Sequence, residues 1–382
     1  MRRIGVVGTG FVADLYMRSL ATMPELEVVA AHDRSSAARE RFASHWRVPV
    51  VDSLEAVCTA VGPGGIVLNL TNPGAHFEVS RACLEAAVNV YSEKPLATSL
   101  DDARTLVDLA RSRGLHIASA PCSFLGEAAQ AVGAAVRAGM VGTPRLVYAE
   151  LDDDFVPAAP YRRWKSESGA PWPAEDEFRV GCTLEHAGYY LSWLISIFGS
   201  IETVVAASAS VTAQSLPVGD PAPDYSSATL FFECGLVARL TCSIAAPHDH
   251  RLRIVGDRGL IEVDEAWDNR APVRVRKRFT VRRRLVYAPI ARRVRFRGPT
   301  HPHVKRHGAA AMNFALGPLE LASALEEGRD ARTSEDLALH LTEVTLAIQE
   351  AGRDTGPRQM VSRCDPLPPM PWALATGGLR RD

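Results

Sequence analysis

Gly8-Thr9-Gly10-Phe11-Val12-Ala13 stands between a short apolar strand, Ile4-Gly5-Val6-Val7, and an apolar helical stretch running to about Ala21. Few folds accommodate G-x-G-x-x-A in that position. Gly8 permits a tight turn, Gly10 lets a pyrophosphate approach the backbone, and Ala13 lets the helix pack closely on a sheet. Phe11 and Val12 belong to the same phosphate-facing turn. The pattern is completed by an acidic residue about twenty positions on, at the end of a second strand. Leu26 to Asp33 is such a strand, and Asp33 such a residue. Its carboxylate suits the ribose hydroxyls of NAD and repels a 2′-phosphate. Asp33 thus favours NAD, while Arg34 and Ser35, which can hold that phosphate instead, leave NADP open.

The alternation of strand and helix continues to about residue 120. Val48-Pro49-Val50-Val51 reads as a strand, Ser53 to Val61 as a helix, Ile66 to Leu70 as a buried strand and Ala75 to Ala87 as a helix. Asn89-Val90 is a strand leading into Tyr91-Ser92-Glu93-Lys94-Pro95. Ser99 and Asp102 form a capping-box arrangement for a helix ending at Gly114, and Leu115 to Ala118 is a sixth strand. Such a rhythm specifies a doubly wound parallel sheet. Thr71, Asn72 and His76 fall at a strand end and helix start on its ligand side, where Asn72 can also cap the helix. Lys94 lies at the end of a buried strand, where an ammonium loses hydration unless something uses it. Pro95 restricts its backbone to extended conformations, and strand ends of this kind face the ligand crevice. An ordinary surface lysine is the alternative.

At Pro121 the rhythm changes. Gly126 to Ala138 reads as a helix and Pro144 to Leu151 as a strand. A loop rich in Pro and Trp follows, containing Arg163 and Trp164, and then a helix from Thr183 to Phe198. Successive strands at 203–211, 227–233, 237–245, 252–255 and 260–263 with short turns make an antiparallel sheet. Helices at about 309–327 and 334–351 are expected to cover it. The expected architecture is therefore an α/β dinucleotide-binding Rossmann domain over 1–121 and an α+β domain with a large, mostly antiparallel sheet over 122–364. The proline-rich tail, 365–382, is either disordered or, from Met370 and Trp372, packed on a neighbouring surface.

Apolar content of 47% and a mean hydropathy of −0.03 describe a soluble globular chain. No apolar run reaches the length of a membrane span, and the run after Met1-Arg2-Arg3 stops too early for a signal peptide. Seven scattered cysteines without a C-x-x-C spacing point to a reduced, cytoplasmic setting. Net charge is −1, yet residues 270–306 hold fourteen Lys/Arg and no acidic residue. Val273-Arg274-Val275-Arg276 and Val294-Arg295-Phe296-Arg297 alternate like strands with one basic face. This stretch is a solvated insertion, or it meets an anionic substrate such as a nucleotide sugar, an acidic partner subunit or an anionic membrane. Nucleic acid is disfavoured, for want of interleaved aromatics or a known module. His248-Asp249-His250 invites a metal reading, but histidines two apart are more often hydrogen-bonders and the sequence completes no zinc set. No metal is assigned; these histidines, with Arg163 and Trp164, are substrate-contact candidates.

G-x-G-x-x-A, then Glu93-Lys94-Pro95, then an antiparallel sheet together resemble the glucose–fructose oxidoreductase / inositol 2-dehydrogenase / rhizopine catabolism family of NAD(P)-dependent oxidoreductases. The resemblance runs from Ile4 to about Gly352 and includes Ile254-Val255-Gly256-Asp257-Arg258-Gly259 and the helix near Ser334 with Leu337 and His340. It implies that Lys94 lies between nicotinamide and substrate, that Thr71, Asn72, His76 and Glu93 lie along the cofactor, and that the chain forms a homodimer or homotetramer through its open sheet face. The family's D-x-G-x-H is altered here. Glu185 falls on its aspartate, Ala187 on its glycine and Tyr189 on its histidine, with His186 adjacent. Glu185, His186 and Tyr189 are three and four apart and can share one helix face. The implied chemistry is hydride transfer at a sugar or cyclitol hydroxyl. Lys94 stabilises the oxygen, Tyr189 relays the proton under Lys94's charge, and Glu185 or Glu93 orients Lys94. A redox-neutral epimerase or lyase with tightly held NAD, and a non-catalytic cofactor-binding protein, remain open.

Overall fold

The computed structural model describes residues 2–374 and 379–381, except Pro217. The first half is β1 (Arg2–Val7), α1 (Phe11–Leu20), β2 (Leu26–His32), α2 (Ser36–Trp46), α3 (Leu54–Val61), β3 (Ile66–Asn69), α4 (His76–Glu85), β4 (Asn89–Ser92), α5 (Leu100–Ser112) and β5 (Ile117–Ser119). The five strands are parallel, in the order β2-β1-β3-β4-β5. β3, β4 and β5 are buried throughout, as strands covered on both faces must be. Strand order reverses between β1 and β3, which places the crevice at the Gly8 and Thr71 ends of those two strands. Val48–Val51, expected as the third of six strands, does not form one. Only Val50 bridges Ala31, and Pro49, which has no N–H, stops the ladder from extending. α2 was not evident as a helix because only Phe42 on it is buried. Its start is set by Ser35, whose hydroxyl accepts from the Ala38 N–H at 3.3 Å. Ser99 caps α5 as expected, accepting from the Asp102 N–H at 3.2 Å.

Gly8 fixes the turn after β1. Its φ is +92°, and a Cβ there would lie 2.5 Å from the backbone carbonyl of Leu70. The backbone conformation alone costs a non-glycine residue about 1–3 kcal/mol, and the clash adds to it. Gly8→Ala is therefore expected to lower the melting temperature by several degrees and to abolish coenzyme binding. A thermal melt and coenzyme titration matching wild type would show that the turn does not need glycine.

The second half is α6 (Glu127–Arg137), β6 (Pro144–Phe155), α7 (Ala174–Val180), α8 (Gly188–Phe198), β7 (Ile201–Ala209), β8 (Tyr225–Phe232), β9 (Val237–Ser243), β10 (Ala245–Asp249), β11 (Leu252–Gly256), β12 (Gly259–Val263), β13 (Val273–Val281), β14 (Arg284–Tyr287), β15 (Arg292–Phe296), α9 (Leu316–Glu327), α10 (Glu335–Gln349), β16 (Arg358–Gln359), α11 (Pro371–Leu374) and β17 (Leu379–Arg381). The sheet runs β16-β7-β8-β9-β6-β11-β12-β13-β15-β17, with β10 on β6 and β14 on β13. All pairings are antiparallel except β6 with β9. α7 lies in what reads as loop. α9 does not cover this sheet; it packs on β3 and β4, where Gly317 meets the Tyr91 ring so closely that a Cβ would lie 2.3 Å from its hydroxyl. α10 sits between the two halves, against α5 and β5 on one side and α8, β7 and β8 on the other.

The basic stretch continues the sheet. Val273 pairs with Val294, Val273, Val275 and Val294 are buried, and the arginines between them face outward, Arg274 meeting Asp264 at 2.5 Å. None of residues 270–306 lines the main cleft, whose lining passes from Trp267 to Ala309, so this face does not receive a substrate bound there. Residues 367–372 of the tail pack on their own chain, and the expectation for 375–378 and 382 lies outside the described residues. The Leu367 and Met370 N–H groups donate to Ser196 O and Gln130 Oε1, each at 2.9 Å, and the Trp372 ring lies 5.0 Å from that of Phe296. Among the described residues, no helix is long and apolar enough to cross a membrane.

Candidate active site

A cleft of about 370 Å³ opens past the C-terminal ends of β1, β3 and β4, and the segment before α8 closes its far side. Gly10, Phe11, Val12, Thr71, Asn72 and Glu93 line one part of it; Lys94, Trp164, Glu185, His186 and Tyr189 line the other. A Cβ on Gly10 would meet nothing within 4 Å, and the N-terminus of α1 has no side-chain cap. Open space before uncapped N–H groups is the environment a pyrophosphate needs. At the ribose end, Asp33 is held by the Thr9 N–H on Oδ2 at 2.8 Å and the Ser35 N–H on Oδ1 at 2.9 Å. Arg34 beside it is exposed. These residues fit a dinucleotide. Arg41, which no motif marks, also lines the cleft and donates to Thr9 O at 3.1 Å.

Trp164 is brought in by the loop ahead of α7. The Ser168 N–H donates to buried Asp14 on α1 at 2.6 Å, and the Trp164 ring packs edge-on against Trp172 at 5.1 Å. Arg163 is exposed and does not line the cleft. Asn72 makes no helix cap; its amide donates across the cleft to the Asp176 carboxylate. His76 does not lie along the cleft. It is fully buried, with Nδ1 2.6 Å from Pro95 O and Nε2 2.9 Å from Thr71 O, and so ties the two strand-end loops together. Burial lowers its pKa, more than those carbonyls raise it.

Lys94 Nζ forms an ion pair and hydrogen bond with Glu185 Oε2. Burial would depress the ammonium, but the carboxylates of Glu185 and Glu177 overcome this and hold its pKa above the ordinary lysine value. Glu93 does not orient the ammonium. It accepts from the Tyr16 hydroxyl at 2.7 Å and from the Lys94 backbone N–H at 3.0 Å, which fixes the loop. For Glu185, burial raises the carboxyl and Lys94 lowers it, with a net fall. Glu177, on α7, is pushed well up by burial and by the Glu185 charge. Sequence reasoning missed Glu177 because α7 reads as loop.

Residues Thr183–Ala187 form a π-helical turn leading into α8. Such turns add one residue to the helical register and are frequent at functional sites. Glu185, His186 and Tyr189 all reach the cleft, as their spacing suggests. Tyr189 differs from expectation in one respect. Burial raises its pKa, Lys94 lowers it, and the Glu93 and Glu185 charges raise it again, so it ends above the ordinary value. Lys94 does not bring it towards neutrality because burial, the largest effect, outweighs the ammonium, and the Glu93 and Glu185 charges add to burial. Burial takes His186 down to about 3, so it is uncharged at neutral pH. His248 and His250 stand behind Trp267 and do not line the cleft.

Residues 2–120 match the family described as "Oxidoreductase family, NAD-binding Rossmann fold", and residues 129–262 match "GFO/IDH/MocA C-terminal domain". A trans-1,2-dihydrobenzene-1,2-diol dehydrogenase of Mus musculus is 25% identical over 269 residues, 69% of this chain and 75% of the relative. A D-glucoside 3-dehydrogenase of Escherichia coli is 34% identical over 119 residues, 30% of this chain and 33% of the relative. Among solved structures, the WlbA dehydrogenase of Bordetella pertussis, in complex with NADH and UDP-GlcNAcA, superposes with a TM-score of 0.71 at 17% identity, covering 94% of this chain and 98% of that one.

Proposed function

The chain belongs to the GFO/IDH/MocA oxidoreductase family, and from that premise we propose that it is an NAD-dependent dehydrogenase or ketoreductase acting on a hydroxyl or ketone of a sugar, nucleotide sugar or cyclitol. The observation that carries this is Lys94, paired with Glu185 and sharing one cleft with Tyr189 and the glycine turn. Gly8, Gly10, Asp33 and the N-terminus of α1 would hold the coenzyme. The chemistry supplied by bound NAD is acceptance or donation of the hydride.

Lys94 places a positive charge where the substrate oxygen becomes an alkoxide. Glu185 holds the ammonium in position, and Glu93 with His76 fixes the loop that presents it. Tyr189, protonated at neutral pH, donates the proton in the reducing direction and must lose one in the oxidising direction. The polyhydric substrates named for the relatives support an oxygen-rich ligand, and Trp164 offers an apolar face for a sugar ring.

The test is coenzyme binding. NADH is expected to quench tryptophan fluorescence of the purified protein at concentrations at least tenfold below those for NADPH, and Asp33→Ser is expected to erase that preference. Failure of both coenzymes to bind would overturn the reading, and tighter NADPH binding would assign the ribose end to Arg34 and Ser35. Nucleotide that cannot be stripped, with no net NADH formed from any polyol, would favour the redox-neutral alternative.

A homo-oligomer through the outer sheet face is part of the same proposal. Leu146, Val205 and Phe231 on that face are 39%, 38% and 40% exposed, apolar area that a second copy would cover. Light scattering should give two or four times 41.3 kDa; a monomer at micromolar concentration would exclude it. A cytoplasmic location is proposed from the unpaired cysteines, all seven of which are free thiols.

A further inference from the structure

Beyond Tyr189, behind the Trp267 wall of the cleft, β6 and the end of β10 bring together side chains that the hydride reaction does not use. Asp153, His248 and His250 each present one donor atom, and the three atoms lie within 4.8 Å of one another. Glu265 stands on their outer side. It accepts from His250 Nδ1 at 2.8 Å, from His248 Nε2 at 3.2 Å and from the Trp267 backbone N–H at 2.9 Å. A carboxylate engaged this way only accepts, so the N–H of each imidazole is on the nitrogen facing Glu265. His250 Nε2 and His248 Nδ1 are then bare lone pairs.

Neither lone pair accepts a hydrogen bond from a described protein group. His250 is 1% exposed, and its Nε2 is buried without a hydrogen-bond partner. His248 Nδ1, bare in the neutral tautomer that Glu265 selects, lies 3.8 Å from Asp153 Oδ1. Two imidazoles and a carboxylate gathered within 4.8 Å, with a second carboxylate holding both rings from behind, is the arrangement of a histidine metal centre and its orienting shell.

We propose that Asp153, His248 and His250 form a binding site for a divalent transition metal ion, zinc by ligand type, with Glu265 as the orienting carboxylate. Ligand atoms around a tetrahedral zinc ion stand roughly 3.3 Å apart, so side-chain rotations of about 1.5 Å or less seat the ion. Three protein ligands leave a coordination position open. Asp153 and Trp267 also line the cleft, so an oxygen of a bound polyol can approach that position. His186, whose Nε2 is 3.7 Å from the other Asp153 oxygen, stands beside the set.

The test uses the full-length protein, stripped with a chelator and titrated with Co²⁺. One equivalent is expected to bind, with the visible absorption of a low-symmetry cobalt centre, and Zn²⁺ should displace it. His248→Ala is the first variant, because that side chain is 45% exposed and its removal is compatible with folding. It should weaken Co²⁺ binding at least 100-fold, and Glu265→Gln should weaken it about 10- to 100-fold. NADH binding and the melting temperature serve as fold controls. No cobalt bound at about 100 μM, or binding that persists in His248→Ala with unchanged affinity, would overturn the site. A chain that binds NADH but no metal overturns this proposal alone.

Discussion

Lys94→Met is expected to lower kcat/KM about 10³-fold in both directions while NADH affinity stays within a few-fold of wild type. Loss of one donor aimed at a developing oxyanion costs about 10²–10³, and here the donor is also a full charge. Lys94 has two other relations that the experiment must separate from catalysis. It is the partner of Glu185, and removing one member of a buried ion pair destabilises a protein by about 3–5 kcal/mol. The stability effect has a definite pH dependence. Glu185 is held below its ordinary pKa in the folded state, so its contribution is present above the unfolded carboxyl value of about 4.3 and fades as pH falls through the folded value. The gap in melting temperature between wild type and Lys94→Met should therefore hold from pH 7 down to about 4.3 and narrow only as pH falls below that. Lys94→Met/Glu185→Gln removes the orphaned charge and should recover most of the lost stability with none of the lost turnover. A Lys94→Met protein that melts lower but turns over at the wild-type rate would confine Lys94 to structure.

The parts legible in the sequence are those in which one residue answers to one local requirement. Gly8, Gly10 and Asp33 each meet a backbone or charge condition set by a strand and a turn, and their spacing carries the condition. Lys94 could be placed because the buried strand before it fixes its end. The parts that were not legible depend on distant contacts. α7 has little hydrophobic period over its seven residues, so Glu177 went unseen beside Glu185. His76 looks like a cofactor contact from its place after β3, yet the Pro95 and Thr71 carbonyls take up both of its ring nitrogens. α9 reads as a cover for the second sheet because it follows that sheet in the chain, but Gly317 lets it pack down on Tyr91 of the first. Asp153 escaped notice because β6 runs four residues beyond the expected end at Leu151, out to Phe155. The tyrosine case is one of balance: the sequence offers Lys94 as a charge near Tyr189, and only the fold shows that burial of the hydroxyl outweighs that charge, with Glu93 and Glu185 adding to it.

That balance leads to an expectation for Tyr189→Phe. Turnover in the reducing direction should fall about 10²–10⁴-fold, the usual worth of a positioned acid, with KM changed only a few-fold because the ring and its packing on Trp267 at 6.0 Å are kept. The pH profile distinguishes a proton donor from a packing residue. The Tyr189 pKa is raised above the ordinary value of about 10, with burial as the leading cause. Wild-type ketone reduction should then stay flat from pH 6 to about 9, the acid being fully protonated throughout. Wild-type oxidation needs that proton gone, so its rate should climb with pH and reach no plateau in the same range. Tyr189→Phe should flatten the climb. His186→Gln should leave it in place, since a ring held near 3 has no proton to exchange across that range. An inflection near pH 7 that survives in Tyr189→Phe would instead move the proton transfer to another group. The buried Glu177 carboxyl, pushed up by its own burial and by Glu185, lines the same cleft, and Glu177→Gln would then be expected to remove that inflection.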